Sequence, residues 1–221
     1  MSLSGRLATS AAVAGLVLLA LGAALVPLLT PAFTRALVVR HSLTAEAGVS
    51  ESAMLETAER VRAFVVSRQG VLPESLEGRA AFDRSAVSHL EDVADVMIAA
   101  QVATAVLALF AGLAGLGALR SGHRPAVVRV LRVAGLSSIA FPLVVGVAGA
   151  LSFDLLFAGF HSLFFAAGTW TFPYDSLLIQ LFPEEFWVYS GVAWGALIMF
   201  VGILYSVSAR LLERVPEPPV G

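Results

Sequence analysis

The chain contains no cysteine, so it has no disulfide, no thiolate nucleophile and no cysteine-ligated metal. It contains no lysine either: all 14 basic residues are arginine. Charged residues are scarce, at 14% of the chain against 58% hydrophobic, which excludes an ordinary water-soluble domain and points to an integral membrane protein. No basic run has the length or aromatic interleaving of a nucleic-acid surface, so no nucleic acid is expected as a partner. Two catalytic signatures are also missing. There is no Gly-x-Ser-x-Gly elbow for a serine nucleophile and no His-Glu-x-x-His pair for zinc, and no metal site is expected.

What the chain does have is four long apolar segments. A bilayer is crossed by about 20 mostly apolar residues. Residues 7–29, 98–119, 133–151 and 187–209 have that length and no internal Asp, Glu, Lys or Arg. The first exceeds the ~7–15 apolar residues of a secretory signal, and Pro27 and Pro31 follow it without a small-residue cleavage site, so a retained helix is expected.

Arginine placement sets the orientation. Arg120, Arg124, Arg129 and Arg132 crowd the connection between the second and third segments, Arg6 precedes the first, and Arg210 and Arg214 follow the fourth. Residues 152–186 hold no basic side chain. By the positive-inside rule both termini and the 120–132 connection face the cytoplasm, while 30–97, a long loop that translocates regardless of its own arginines, lies outside with 152–186. The expected fold class is an all-α membrane protein. It has four transmembrane helices, a small, mainly helical extracytoplasmic cap (30–97), an interfacial aromatic segment (152–186) and a cytoplasmic tail (210–221) whose prolines predict disorder from Val215 to Gly221.

Within the cap, Glu51–Arg68 places Met54, Ala58, Val61 and Val65 at helical spacing, with Gly70 as the expected stop. A second helix is expected from about Asp83–Ser88, continuing into the membrane. Ser88 and Glu91 have the spacing of a capping box, which would set His89 at the positive end of that helix and keep its imidazole neutral. Asp92, three residues on, would then orient the ring. His41 and His123 read as solvated.

The segment from Phe153 to Tyr189 concentrates eight of the 14 phenylalanines, with Trp170, Trp187, Tyr174 and Tyr189, around a single histidine. That histidine, His161, is flanked by Phe157, Phe160, Phe164 and Phe165. Burying an imidazole there without a partner costs roughly 1–3 kcal/mol, and an ionisable group at membrane depth marks a functional site by default. The topology brings both His89 and His161 to the outer membrane surface. Two readings stay open on these residues: an enzyme acting on acyl chains, and a membrane protein that binds lipid or a partner through its cap and aromatic belt.

Three runs narrow the choice. Phe160-His161-Ser162-Leu163-Phe164-Phe165, Gly168-Thr169-Trp170-Thr171-Phe172 and Leu178-Ile179-Gln180-Leu181-Phe182-Pro183-Glu184-Glu185-Phe186-Trp187 resemble the signature of the bacterial lipoprotein intramolecular transacylases. His89-Leu90-Glu91-Asp92-Val93 is similar to that family's second motif. Residues 41–82 match nothing recognisable.

The resemblance implies acyl transfer from the sn-2 position of a diacylglyceryl group to the α-amine of a lipoprotein's N-terminal cysteine. The product is an N-acyl, S-monoacylglyceryl lipoprotein. The substrate partner would be a diacylglyceryl-modified lipoprotein in the lipid of a bacterial cytoplasmic membrane, with the site at the outer leaflet and no cofactor. The catalytic pair would be His89 and His161, supported by Asp92 and Glu91. Phe157, Phe160, Phe164, Phe165, Trp170, Phe172, Phe182 and Phe186 would form the acyl pocket. A hydrolase using the same dyad with water is the alternative chemistry.

Overall fold

A computed structural model describes residues 3–215; the expected tail beyond Val215 lies outside the described residues. The chain runs α1 (Leu3–Leu25), a 3-10 turn (Val26–Leu29), α2 (Pro31–His41), α3 (Thr44–Ala47), α4 (Glu51–Ser67) and a hairpin of β1 (Ser75–Leu76) with β2 (Arg79–Ala80). There follow α5 (Arg84–Arg120), α6 (Arg124–Leu151), α7 (Phe153–Phe164), α8 (Leu177–Leu181) and α9 (Glu184–Arg214). Four helices are long and apolar enough to cross a membrane: α1 with its 3-10 extension, α5, α6 and α9. They outrun the apolar segments. The 37 residues of α5 span about 56 Å at 1.5 Å each, nearly twice the ~30 Å hydrocarbon core, so the charged turns before residue 98 stand clear of it. Likewise α9 continues to Arg214, and residues 210–214 are helical rather than tail.

The chain divides into two compact units. The first comprises the described parts of 1–24, 102–146 and 194–221. Its core is Ala20, Ala24 and Ile198, with Leu21, Trp194, Leu197, Val201 and Tyr205 packed against them. Trp194 Nε1 donates to the Leu21 carbonyl at 2.9 Å, linking α9 to α1. Elsewhere α6 and α9 meet through glycines. A Cβ on Gly202 would stand 2.8 Å from the Gly135 carbonyl oxygen, so the backbones touch without side chains between them. Lipid tails are as apolar as a helix surface and give no hydrophobic drive to pack, and small residues that permit close approach supply dispersion instead.

The second unit comprises 25–101 and 147–193. Helix α4 buries Met54, Thr57, Ala58 and Val61. Met54 and Ala58 join a core of Val38, Ala47, Leu76, Leu177, Leu181 and Phe186, and Val61 joins a neighbouring cluster of Ala86, Leu90 and Leu178. The cap core thus includes α8, which lies within the expected interfacial aromatic segment. Ser50 caps the start of α4, accepting from Ala53 N at 3.2 Å. The Glu77 carboxylate in turn accepts from Ser50 N at 2.9 Å and from its hydroxyl at 2.5 Å, which holds the carboxyl below its usual range. Glu77 reaches it because Glu77 and Gly78, at φ 47° and 87°, form a left-handed two-residue hairpin turn between β1 and β2.

Gly70 does not end α4. The helix stops at Arg68, itself left-handed at φ 56°, whose guanidinium bonds Asp95 Oδ1 at 2.5 Å and the Glu91 carbonyl at 3.1 Å. Those bonds strap the end of α4 to α5, and they offset the cost of a left-handed arginine.

Candidate active site

Asp83, not Ser88, caps α5: its Oδ1 accepts from Ala86 N at 2.7 Å and its carbonyl from Val87 N at 3.0 Å. The expected Ser88–Glu91 capping box is absent, and His89 stands five residues past the helix start, inside the helix rather than at its positive end. Burial selects its direction. Ala86, Leu90 and Ala94 are buried on one side of α5, and His89 shares that side with only 7% of its surface exposed. Asp92 and Glu91 are exposed. Three residues turn a helix by about 300°, which carries Asp92 some 60° round towards solvent. No hydrogen bond joins it to His89 among the described residues, and His89 Nδ1 is buried without a partner.

His161 comes from α7, which forms the first part of the expected interfacial aromatic segment. Ser152 caps this helix, accepting from Leu155 N at 3.4 Å, and Phe165 ends it in an extended conformation. Gly168, at φ 84°, then lets the chain turn sharply, and residues 169–173 pass back over α7. Because Phe157 and His161 are four apart, they stand one above the other on the helix, and their rings lie 4.0 Å centre to centre. The same spacing lets His161 Nδ1 donate to the Phe157 carbonyl at 2.9 Å. A carbonyl only accepts, so this bond fixes the tautomer and leaves Nε2 with its lone pair. His161 lies outside the four spans and is 8% exposed. Burial pushes its pKa below the ordinary 6.5, opposed by the Phe157 bond.

The two imidazoles face each other, 6.1 Å between centres and 30° between planes. Phe165 touches both rings, at 5.0 Å from His89 and 5.7 Å from His161. Phe172 closes on His89 at 5.5 Å, and Trp170 on His161 at 4.9 Å. Phe160 lies edge-on to His161 at 5.7 Å while 48% exposed. Of the other aromatics expected around the pair, Phe164 has its ring contacts, among the described residues, with Phe160 and Phe165. Phe182 and Phe186 serve the cap core rather than the histidines. Trp187, unassigned from sequence, packs on Phe157 at 6.2 Å and donates from Nε1 to the Phe182 carbonyl at 2.9 Å.

His41 is partly buried rather than fully solvated. It stacks on Tyr189 with 4.6 Å between centres, and its Nε2 is buried without a partner. Among the described residues no three His, Asp or Glu side chains converge as metal ligands. A cavity of about 410 Å³ lies in the first unit, lined by Arg124, Arg129, Arg132 and Glu213 among others. Its charges are structural: Arg132 pairs with Glu213, and Arg124 donates to the Leu212 carbonyl at 2.5 Å, where α9 runs out of helical donors.

The site therefore combines a tautomer-fixed imidazole with a free basic nitrogen, a second buried imidazole facing it, and an enclosure of aromatic rings. It suits proton transfer beside an apolar substrate. A model of the family described as "Lipoprotein intramolecular transacylase Lit" matches residues 9–187. No curated protein matches the chain. Among solved structures, the membrane integral lipoprotein intramolecular transacylase from Bacillus cereus is similar, at 18% identity and a TM-score of 0.81, with 96% of each chain covered. Two variants of that protein, with one histidine replaced by arginine or by alanine, give TM-scores of 0.70 and 0.69 at 19% and 18% identity. They cover 96% of this chain and 92% and 94% of theirs.

Proposed function

The chain belongs to the lipoprotein intramolecular transacylase family, and from that premise we propose that His89 and His161 carry the proton traffic of its reaction. It is a membrane acyltransferase that acts on lipoproteins. The acyl chain moves from the sn-2 glyceryl oxygen to the α-amine of the N-terminal cysteine. The amine nitrogen attacks the ester carbonyl and gives its proton to His161 Nε2. As the carbon–oxygen bond breaks, His89 gives a proton to the departing glyceryl oxygen, and the proton held by His161 replaces it. Nothing is consumed: the proton lost by the amine ends on the glyceryl hydroxyl, and an ester becomes an amide.

One observation carries this assignment: the facing imidazoles, of which His161 has its basic nitrogen freed by the Phe157 carbonyl. General acid and base catalysis contribute about 10²–10⁴-fold each. Donor and acceptor sit in one molecule, so the enclosure by Phe157, Phe165, Trp170 and Phe172 works chiefly by holding amine and ester together. The arginine bias supports a placement in a bacterial cytoplasmic membrane with both termini inside and the histidine pair at the outer leaflet.

The test is tandem mass spectrometry of a lipoprotein N-terminal peptide from cells that leave the α-amine free. With the wild-type chain, an acyl group on the cysteine nitrogen and monoacylglyceryl on the sulfur are expected. His161→Ala and His89→Ala, made at normal levels, should leave the diacylglyceryl form. Unimpaired transfer by either variant would remove that histidine from the mechanism.

A further inference from the structure

The two histidines leave one demand of acyl transfer unanswered. Attack of the amine places a negative charge on the ester carbonyl oxygen, and an enclosed apolar site must hold that charge with a donor already aimed at it. Among the described residues of the second unit, four buried side-chain polar atoms lack a hydrogen-bond partner: His41 Nε2, His89 Nδ1, Trp170 Nε1 and Gln180 Oε1. The Gln180 oxygen only accepts and would repel an oxyanion. His41 is engaged with Tyr189 instead of the histidine pair, and His89 already has its part in the relay.

Trp170 differs from all three. Its indole N–H can only donate. The turn through Gly168 delivers the ring against His161, at 4.9 Å and 32°, and against Phe157 at 6.3 Å. A buried donor without an acceptor is destabilising, and native chains rarely leave one unpaired unless a ligand completes it. The neighbouring Trp187 and Trp194 show the ordinary solution, each donating to a backbone carbonyl at 2.9 Å. We propose that the Trp170 N–H donates to the ester carbonyl of the bound lipoprotein and stabilises the oxyanion of the tetrahedral intermediate. Trp170 keeps its proton throughout, and the bonds made and broken are those of the transfer itself. This inference rests on the acyl-transfer reaction proposed above.

The experiment uses the full chain in detergent micelles with a synthetic diacylglyceryl lipopeptide. Trp170 is replaced by benzothienylalanine, which keeps the bicyclic ring and exchanges N–H for sulfur; Trp170→Phe is the genetic counterpart. For the benzothienyl variant kcat should fall about 10²–10³-fold, as when one oxyanion donor is lost, with KM within about threefold of wild type. A ring that only packs would be replaced without loss, so wild-type kcat in that variant overturns the proposal. A rise in KM at unchanged kcat overturns it too, because that assigns the N–H to ground-state binding. His161→Ala, measured alongside, separates the two readings. If it is inactive while the benzothienyl variant is unimpaired, only the oxyanion role fails. If it is active while the benzothienyl variant has lost kcat, the histidine relay fails and the donor stands.

Discussion

Lowering the pH separates the proposed base, His161, from the substrate's nucleophile, because the buried imidazole and the lipoprotein amine titrate in different ranges. A free α-amine has a pKa of about 7.7–8.0, so its neutral, attacking fraction falls tenfold per unit below pH 7. An ordinary imidazole, half protonated at 6.5, would add a second fall in the same window. Between pH 7.0 and 5.5 the amine alone accounts for about a 30-fold loss, and an imidazole titrating at 6.5 would multiply that by about eight. His161 is buried and its pKa lies below 6.5, so its neutral form persists to lower pH than that of an ordinary imidazole. The expected loss of kcat/KM over that window is therefore smaller than the combined loss of about 240-fold, and the steepening to a slope of two is displaced to lower pH. Initial rates at low substrate, read by mass spectrometry in micelles from pH 5.5 to 9, give the profile. A slope that steepens to two between pH 7 and 6 would refute the reasoning, since it would show His161 titrating like a solvated histidine. Stability follows the same sign. Folded His161 binds protons less readily than unfolded His161, so its contribution is complete above about pH 6.5 and is lost as pH falls through the folded value.

Two further predictions concern the scaffold. Gly202→Ala would place a Cβ 2.8 Å from the Gly135 carbonyl oxygen and 3.0 Å from Ser138 Cβ, and overpacking of that kind costs about 1–3 kcal/mol. Gly115→Ala, where a Cβ meets nothing within 4 Å, should be neutral or gain up to about 1 kcal/mol in helix propensity; unfolding of both variants in micelles makes the comparison. Orientation is testable on a background free of native cysteine. In intact cells a membrane-impermeant maleimide should label Gln69→Cys, in the cap, and leave Ser121→Cys unlabelled until the membrane is opened. The reverse pattern would invert the topology.

The sequence made the four spans legible because hydropathy integrates over many residues and tolerates local error. Helix ends were less legible. Asp83 and Ser88 both offer capping oxygens ahead of an apolar run, and the choice between them is made by Ala86, Leu90 and Ala94 finding a buried surface on other segments. The same ambiguity misplaced Asp92: its spacing from His89 was right for a helical neighbour, but its burial was not. The two histidines were identifiable as unusual, and the fold brings their rings to 6.1 Å. The aromatics were harder to divide. Nothing local distinguishes Phe165, against both imidazoles, from Phe186, in the cap core, since the difference arises from the turn at Gly168 and the packing of α8. His41 was misjudged for a similar reason, because its stacking partner Tyr189 is remote in sequence.

The two imidazoles also differ in how much freedom the protein leaves them. In the proposed relay the Phe157 carbonyl commits His161 to a single tautomer, so its proton is taken up at Nε2 and handed on from there. Among the described residues no hydrogen-bond partner makes the same demand of His89 Nδ1. Its proton can reside on either nitrogen, and whichever atom approaches, acceptor or donor, selects the form. The proposed relay, with one ring committed and the other ambidextrous, would reset without a flip of either side chain and without a proton from bulk water.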